Sequence, residues 1–167
     1  MRFLIMDAPR QANLHLYIKE LRKHHVTDVV RVCEPTYHKA ELESAGICLH
    51  ESEYKDGTSP PNELILKWLQ LVESTFYGPN KPQATADASS DAPCIAVHCV
   101  AGLGRAPVMV AIALIEFANM DPVEAVSYLR KRRRGAINEK QLLYLEGYKK
   151  QYRRKYGGGE AGCCVIL

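Results

Sequence analysis

A chain of 167 residues has room for one domain with a substantial core, and its 47% hydrophobic content is that of an ordinary globular protein. No run is long and apolar enough to span a bilayer, the first residues lack a signal-peptide pattern, and six scattered cysteines without C-x-x-C pairs point to a reducing compartment. Net charge is only +3, and no basic-aromatic motif is present to read or stack on bases, which speaks against nucleic acid as a partner.

In chain order, Met1–Met6 is apolar and reads as a first strand. Asn13 is placed to cap a helix that carries Leu14, Tyr17, Ile18 and Leu21 on one face. Val26–Cys33 is β-branched and reads as a second strand. Tyr37–Ala45 reads as a short amphipathic helix with Gly46 as its C-cap, and Ile47–His50 as a third strand. Residues 51–61 form a polar loop. Asn62–Tyr77 repeats Leu64, Ile65, Trp68, Leu69 and Val72 at helical spacing. Residues 78–93 have too little apolar content to pack and are expected to be a mobile insert loop.

The next stretch carries the chemistry. Cys94–Val97 reads as a buried strand, and Val108, Ala111, Ile112 and Ile115 mark a helix that begins near Arg105. Between them lies Cys99-Val100-Ala101-Gly102-Leu103-Gly104-Arg105, with two glycines among the five residues separating cysteine from arginine. Glycine permits positive φ and close backbone approach, so such a loop can curl with its N–H groups inward. A nest of this kind at a helix N-terminus binds a tetrahedral dianion, and Arg105 can close it with a bidentate guanidinium. The same positive field favours a thiolate at Cys99, the nucleophilic form of cysteine. Further on, Asp121 or Pro122 starts a helix through Val123, Val126 and Leu129, ended by Arg130–Arg134. Asn138 caps a last helix with Leu142, Leu143, Leu145 and Tyr148.

The string His98-Cys99-x-x-Gly102-x-x-Arg105 resembles the signature of cysteine-dependent protein tyrosine phosphatases. The longer stretch from His98 to Pro107 (HCVAGLGRAP) is similar to the type IVA group, the prenylated phosphatases of regenerating liver. The resemblance runs over nearly the whole chain, most closely at Val30–Glu34, Ile95–Pro107 and Arg132–Leu145. Strands alternating with helices already imply an α/β three-layer sandwich whose central, mainly parallel sheet is flanked by helices. The resemblance adds the cysteine-dependent phosphatase fold, with residues 1–156 as one domain and 157–167 as a flexible prenylation tail.

The resemblance implies that Cys99 attacks the phosphorus, that Val100–Gly104 and Arg105 bind the phosphate, and that Asp56 protonates the leaving oxygen. Sequence alone favours reading Asp56-Gly57 as a turn; the resemblance favours the acid. Here the chain departs from the W-P-F-D-D-G pattern of the family: Ser52 and Glu53 replace tryptophan and proline, and Lys55 replaces the first aspartate. Ala106 offers no hydroxyl to a departing thiolate, which points to slow breakdown of the phosphocysteine. In the resembling group the counterpart of Cys33 forms a disulfide with the nucleophile; the alternative is an ordinary buried strand cysteine. Arg31 and Glu34 are either pocket-lining or solvated strand-end charges.

Val100, Ala101 and Leu103 make the cradle apolar, which favours a phosphoprotein substrate or a hydrophobic partner surface. Cys164 heads a C-terminal C-a-a-X box whose leucine favours geranylgeranylation. Lys149, Lys150, Arg153, Arg154 and Lys155 would add attraction to anionic lipid, placing the protein on the cytoplasmic face of plasma or endosomal membranes and partly in the cytoplasm. No cofactor is expected, and His15, His24, His25, His38 and His50 form no ligand pattern, so no metal is expected. Two readings follow: a membrane-tethered phosphatase, or a weakly active module that uses the same pocket to bind a CBS-domain magnesium transporter, the partner class of the resembling group. Members of that group sometimes form homotrimers near membranes.

Overall fold

The structure, a computed structural model, describes residues 1–78 and 92–152 together with the backbone of Val165–Ile166. Strands β1 (Arg2–Met6), β2 (Val26–Arg31), β3 (Cys48–Glu51), β4 (Cys94–His98) and the two-residue β5 (Val165–Ile166) form one sheet in the order β3-β2-β4-β1-β5. Every pairing is parallel. The helices are α1 (Leu14–Lys23), α2 (Ala40–Ser44), α3 (Asn62–Tyr77), α4 (Arg105–Phe117), α5 (Pro122–Arg132) and α6 (Glu139–Glu146).

Side-chain alternation along β4 divides the core into two layers. Ile95, Val97 and Cys99 face a cluster built with α3, α4, α5 and α6. Cys94 and Ala96 face a smaller cluster with Leu14 and Leu21 of α1 and Leu42 of α2. The three-layer α/β architecture is therefore the expected one. Helix α4 runs through the larger cluster with Val108, Met109, Ile112 and Leu114 fully buried. Burying a side chain of that size stabilises by about 1.5–3 kcal/mol, so α4 is a firm anchor for the arginine at its N-terminus. Trp68 of α3 fastens it further by donating from Nε1 to the Met109 carbonyl at 2.8 Å.

The differences from the sequence reading are local. Tyr37 does not open a helix: it is buried, and α2 begins only at Ala40. Gly46 does close α2, with φ +78° and Ile47 N–H donating to Leu42 O at 3.0 Å. β2 ends at Arg31, not Cys33, and β3 lies one residue later than expected. The Asn13 side chain accepts from Arg10 N–H at 2.7 Å and caps the short 3-10 turn Gln11–Asn13, with α1 continuing from it. Asp121 is the cap of α5, accepting from Val123 N–H at 2.9 Å, and Asn138 caps α6, accepting from Gln141 N–H at 2.8 Å. Lys149 and Lys150 lie beyond α6, so they are not on a helical face. The backbone of Val165–Ile166 lies in register with Arg2 and Phe3, within the tail read as flexible. Most of the 78–93 insert, as well as Arg153, Arg154, Lys155 and Cys164, lie outside the described residues.

Candidate active site

Cys99 follows β4 directly and Arg105 opens α4, so the intervening loop is held between the sheet and the most buried helix. Both ends are inside the protein, Cys99 at 3% exposure and Arg105 at 1%. The loop carbonyls are tied to the scaffold. Val100 O accepts from Ala8 N–H at 3.0 Å, Leu103 O from Ile137 N–H at 2.7 Å, and Gly104 O from Val108 N–H at 3.1 Å. Arg133 takes the two between: Nη2 donates to Ala101 O at 3.0 Å and Nε to Gly102 O at 2.6 Å. Its Nη1 reaches back to Ile5 O at 3.2 Å. Among the described residues, the N–H groups of Val100–Gly104 donate to no protein acceptor. A loop with its acceptors used and its donors free is an anion nest. Gly102 is required for the curl: its φ is +67°, and a Cβ there would lie 2.5 Å from Met6 O and from Arg133 Nη2.

A cavity of about 320 Å³ opens over this loop, lined by Asp56, Cys99, Arg105 and Gln141 among others. A larger open depression of about 660 Å³, lined by His25, Asp28 and Ser74 among others, holds no nucleophile over an anion nest. Arg105 Nη1 donates to Tyr54 O at 3.0 Å, and the Tyr54 hydroxyl donates to Arg105 O at 3.0 Å. Tyr54 is buried, and burial pushes its hydroxyl well above the ordinary value. It thus anchors the segment that carries Asp56. Two residues on, Asp56 lies at the cavity mouth, with its Oδ1 3.2 Å from Arg105 Nε. That is close enough for ion pairing, but the alignment leaves Nε a buried donor with no hydrogen-bond partner. The same Oδ1 accepts from Gly57 N–H at 3.0 Å, and Thr58 N–H donates to Lys55 O at 3.3 Å. Asp56 is therefore both the turn residue and a pocket residue.

Glu34 Oε2 lies 3.7 Å from Arg105 Nη1 with its side chain exposed. Arg31 is neither a pocket residue nor solvated: it is buried, donating to Tyr37 O at 2.9 Å and to Glu51 Oε1 at 2.6 Å. Cys33 and Cys99 are both free thiols. β2 pairs directly with β4, Arg31 opposite His98, which brings Cys33 next to the site. Its sulfur is 3.9 Å from His98 Nδ1, and burial pushes its thiol up to about 11.

Sequence spacing does not single out Gln141, Arg133 or Tyr54. Gln141 is buried at 3% exposure and lines the cavity; its Oε1 accepts from Asn138 N–H at 3.1 Å, and its Nε2 is a buried donor without a partner. The capping pattern N-x-x-Q at Asn138–Gln141 is the one sequence signal that could have located it, since the cap fixes the amide.

The protein-tyrosine phosphatase family model matches residues 11–146. A mouse protein tyrosine phosphatase type IVA 2 is 46% identical over 165 residues, covering 99% of this chain and 92% of its own. The chain belongs to the type IVA protein tyrosine phosphatases. The human type IVA 3 phosphatase is 44% identical over 169 residues, with 99% and 91% covered. A solved Leishmania major chain assigned to the protein tyrosine phosphatases is 40% identical, superimposes with a TM-score of 0.75, and is covered over 88% of its length by 89% of this one. This type IVA chain is thus a protein tyrosine phosphatase, a hydrolase of phosphoproteins.

His98 sets a pH limit on the phosphatase fold. Its Nε2 accepts from the Tyr37 hydroxyl at 2.7 Å while Nδ1–H faces Cys99 O at 3.4 Å. Burial holds its pKa at about 4, below the ordinary 6.5. A depressed histidine pKa contributes stability that is complete above the unfolded value and is lost as pH falls through the folded one. Between pH 6.5 and 4 the loss from this residue approaches about 3 kcal/mol. Denaturant unfolding as a function of pH should show that slope, and His98→Asn should flatten it; parallel slopes would remove His98 as the cause.

Proposed function

We propose that Cys99 is the nucleophile, that the Val100–Gly104 N–H groups and Arg105 hold the phosphoryl oxygens, and that Asp56 is the general acid. Cys99 Sγ bonds to phosphorus as the bond to the side-chain oxygen of the substrate breaks, and Asp56 gives that oxygen its proton. Water then attacks the phosphocysteine, Asp56 takes the water's proton, and the sulfur departs. Bound phosphate takes over Arg105 and so frees Asp56 from its ion pair. Gln141 Nε2 supplies a fixed donor at the far wall. The observation that carries this reading is the loop itself, with its carbonyls from Val100 to Gly104 bonded outward and its N–H groups free. Asp56→Ala should slow hydrolysis of phosphotyrosine by roughly 10²-fold or more and leave an activated aryl phosphate within about threefold, since only a poor leaving group needs the proton. Equal losses on both would return Asp56 to the Lys55–Thr58 turn.

A second role is favoured by the rim of the site. Val100 and Leu103 are 58% and 39% exposed, an apolar edge around a polar pocket, which suits a protein partner seated over the phosphate site. A CBS-domain magnesium transporter is the partner class, with phosphocysteine formation, or a Cys33–Cys99 disulfide formed by a peroxide, as the control. Ala106, fully buried next to Arg105, brings no hydroxyl to the departing sulfur, consistent with a long-lived phosphocysteine.

The tail adds a membrane anchor in this proposal. Cys164 carries a geranylgeranyl chain, Val165–Leu167 are removed, and the protein sits on the cytoplasmic face of membranes. Each buried methylene contributes about 0.8 kcal/mol, and each nearby lysine or arginine adds roughly 1 kcal/mol at an anionic surface. Mass spectrometry of the protein from its own cells should find the processed, lipidated Cys164. An intact Leu167 terminus would end the proposal.

A further inference from the structure

Outside the phosphatase site, three side chains of different donor chemistry meet on the edge of the sheet. β3 is the edge strand, and its register with β2 places Cys48 opposite Asp28 and His50 opposite Val30. Cys48 and His50 are two residues apart, so they share a face of the sheet, and Asp28 shares it with them. The thiol, the imidazole nitrogen and a carboxylate oxygen lie within 4.8 Å of one another. His50 Nε2 is 2.7 Å from Asp28 Oδ1, and the other Asp28 oxygen accepts from Thr27 Oγ1 at 2.7 Å, which fixes the carboxylate. Asp28 is largely buried, His50 half-buried and Cys48 exposed, so a cation can reach the cluster from solvent.

We propose that Asp28, Cys48 and His50 bind a zinc ion, with water in the fourth position. One sulfur, one imidazole nitrogen and one carboxylate oxygen are a borderline-soft donor set that suits Zn²⁺ and is poor for magnesium or calcium. Ligand atoms on a tetrahedral zinc lie within about 4 Å of one another at bond lengths of 2.0–2.3 Å, so closure needs only small side-chain movements. Binding turns the Cys48 thiol into thiolate and releases one proton per zinc. His50 binds through Nε2 as a neutral imidazole: the hydrogen that Nε2 donates to Asp28 in this structure goes to solvent, and Nδ1 carries one in its place. The bound ion would join the edge strand β3 to β2. β3 leads through Ser52, whose N–H donates to Arg31 O at 2.9 Å, into the segment that carries Tyr54 and Asp56.

The test is zinc alone, titrated into the full chain with reduced thiols against a chromophoric chelator. Wild type should hold one zinc per chain at micromolar affinity or better, and Cys99→Ser should hold it equally. Cys48→Ser and His50→Ala should each weaken binding by at least about tenfold while keeping the metal-free phosphatase rate. Cobalt in the same place should give intense tetrahedral visible bands and a thiolate charge-transfer band that Cys48→Ser removes. Zinc that disappears in Cys99→Ser and persists in Cys48→Ser would place the metal at the phosphatase site and overturn the assignment. A weak octahedral cobalt spectrum, or no micromolar binding by wild type, would overturn it as well.

Discussion

Cys99→Ser should abolish phosphatase turnover, lowering kcat by at least roughly 10⁴-fold, while the chain folds as before. A serine hydroxyl stays protonated at neutral pH and has no adjacent base to activate it: the neighbouring imidazole, His98, points from the opposite face of β4 and is occupied by Tyr37 and the Cys99 carbonyl. The loss corresponds to more than about 5 kcal/mol of transition-state stabilisation. The replacement is nearly isosteric at a position 3% exposed, so stability should change by no more than about 1 kcal/mol and Tm by roughly 2–4 °C. The anion nest is built from backbone and Arg105, so phosphate or a phosphotyrosine peptide should still bind. Steady-state and single-turnover rates, together with peptide binding, check all three parts. Residual turnover within a few-fold of wild type would mean that the phosphoryl group never passes to Cys99.

The parts of this fold that are legible in the sequence are those where period and punctuation agree. Asn62–Tyr77 follows a helical period without interruption, and its bounds match α3. Asp121-Pro122 and Asn138 are caps with a mechanism, and their side chains make the expected bonds. Tyr37 shows why the rest is not legible. It opens the short run that reads as an amphipathic helix with Leu42, yet a long-range bond to His98, 61 residues away, keeps it out of the helix. Local periodicity carries no information about such a partner. The same applies to Arg31, which a local reading leaves between pocket and solvent, and which tertiary contacts with Glu51 and Tyr37 bury instead.

At the site, the linear motif delivers whatever lies on one stretch of chain. Cys99, Gly102 and Arg105 act through a loop that is continuous in sequence, so their spacing is their geometry. Arg133, just past the end of α5, and Gln141 of α6 reach the same loop from far along the chain, Arg133 31 residues beyond the Gly102 whose carbonyl it holds, and nothing in the basic run 130–134 distinguishes the one arginine that carries the loop carbonyls. Asp56 is a turn by sequence and a pocket carboxylate by structure, and only the approach of Arg105 at 3.2 Å joins the two descriptions. The Asp28, Cys48 and His50 cluster is hidden for a related reason: two of its members share a strand, and the third arrives through strand register.

Arg105→Lys should cost roughly 10³-fold in kcat/KM, nearly as severe as loss of a complete transition-state donor. The guanidinium serves three neighbours at once: Nη1 donates to Tyr54 O at 3.0 Å and lies 3.7 Å from Glu34, while Nε faces Asp56 at 3.2 Å. Its planar fork can hold Tyr54 and still present two parallel donors to a phosphoryl group. A lysine ammonium is a point charge on a narrower stem. Directed at the phosphate, it abandons the Tyr54 carbonyl and loosens the segment that carries Asp56; directed at Tyr54, it leaves the phosphate with backbone donors alone. Either way, the affinity for an oxyanion such as vanadate should fall together with kcat, because the same fork binds ground state and transition state. Leaving-group sensitivity should increase too, since the Tyr54 segment that carries Asp56 is no longer held by the guanidinium. The rate per folded molecule is the quantity to compare, measured well below the Tm of the variant, because a buried carbonyl left unpaired also costs stability of about 1–3 kcal/mol. A variant with wild-type vanadate affinity and a rate within threefold would show that the loop backbone alone carries the phosphate, and that Arg105 is no more than the N-terminal residue of α4.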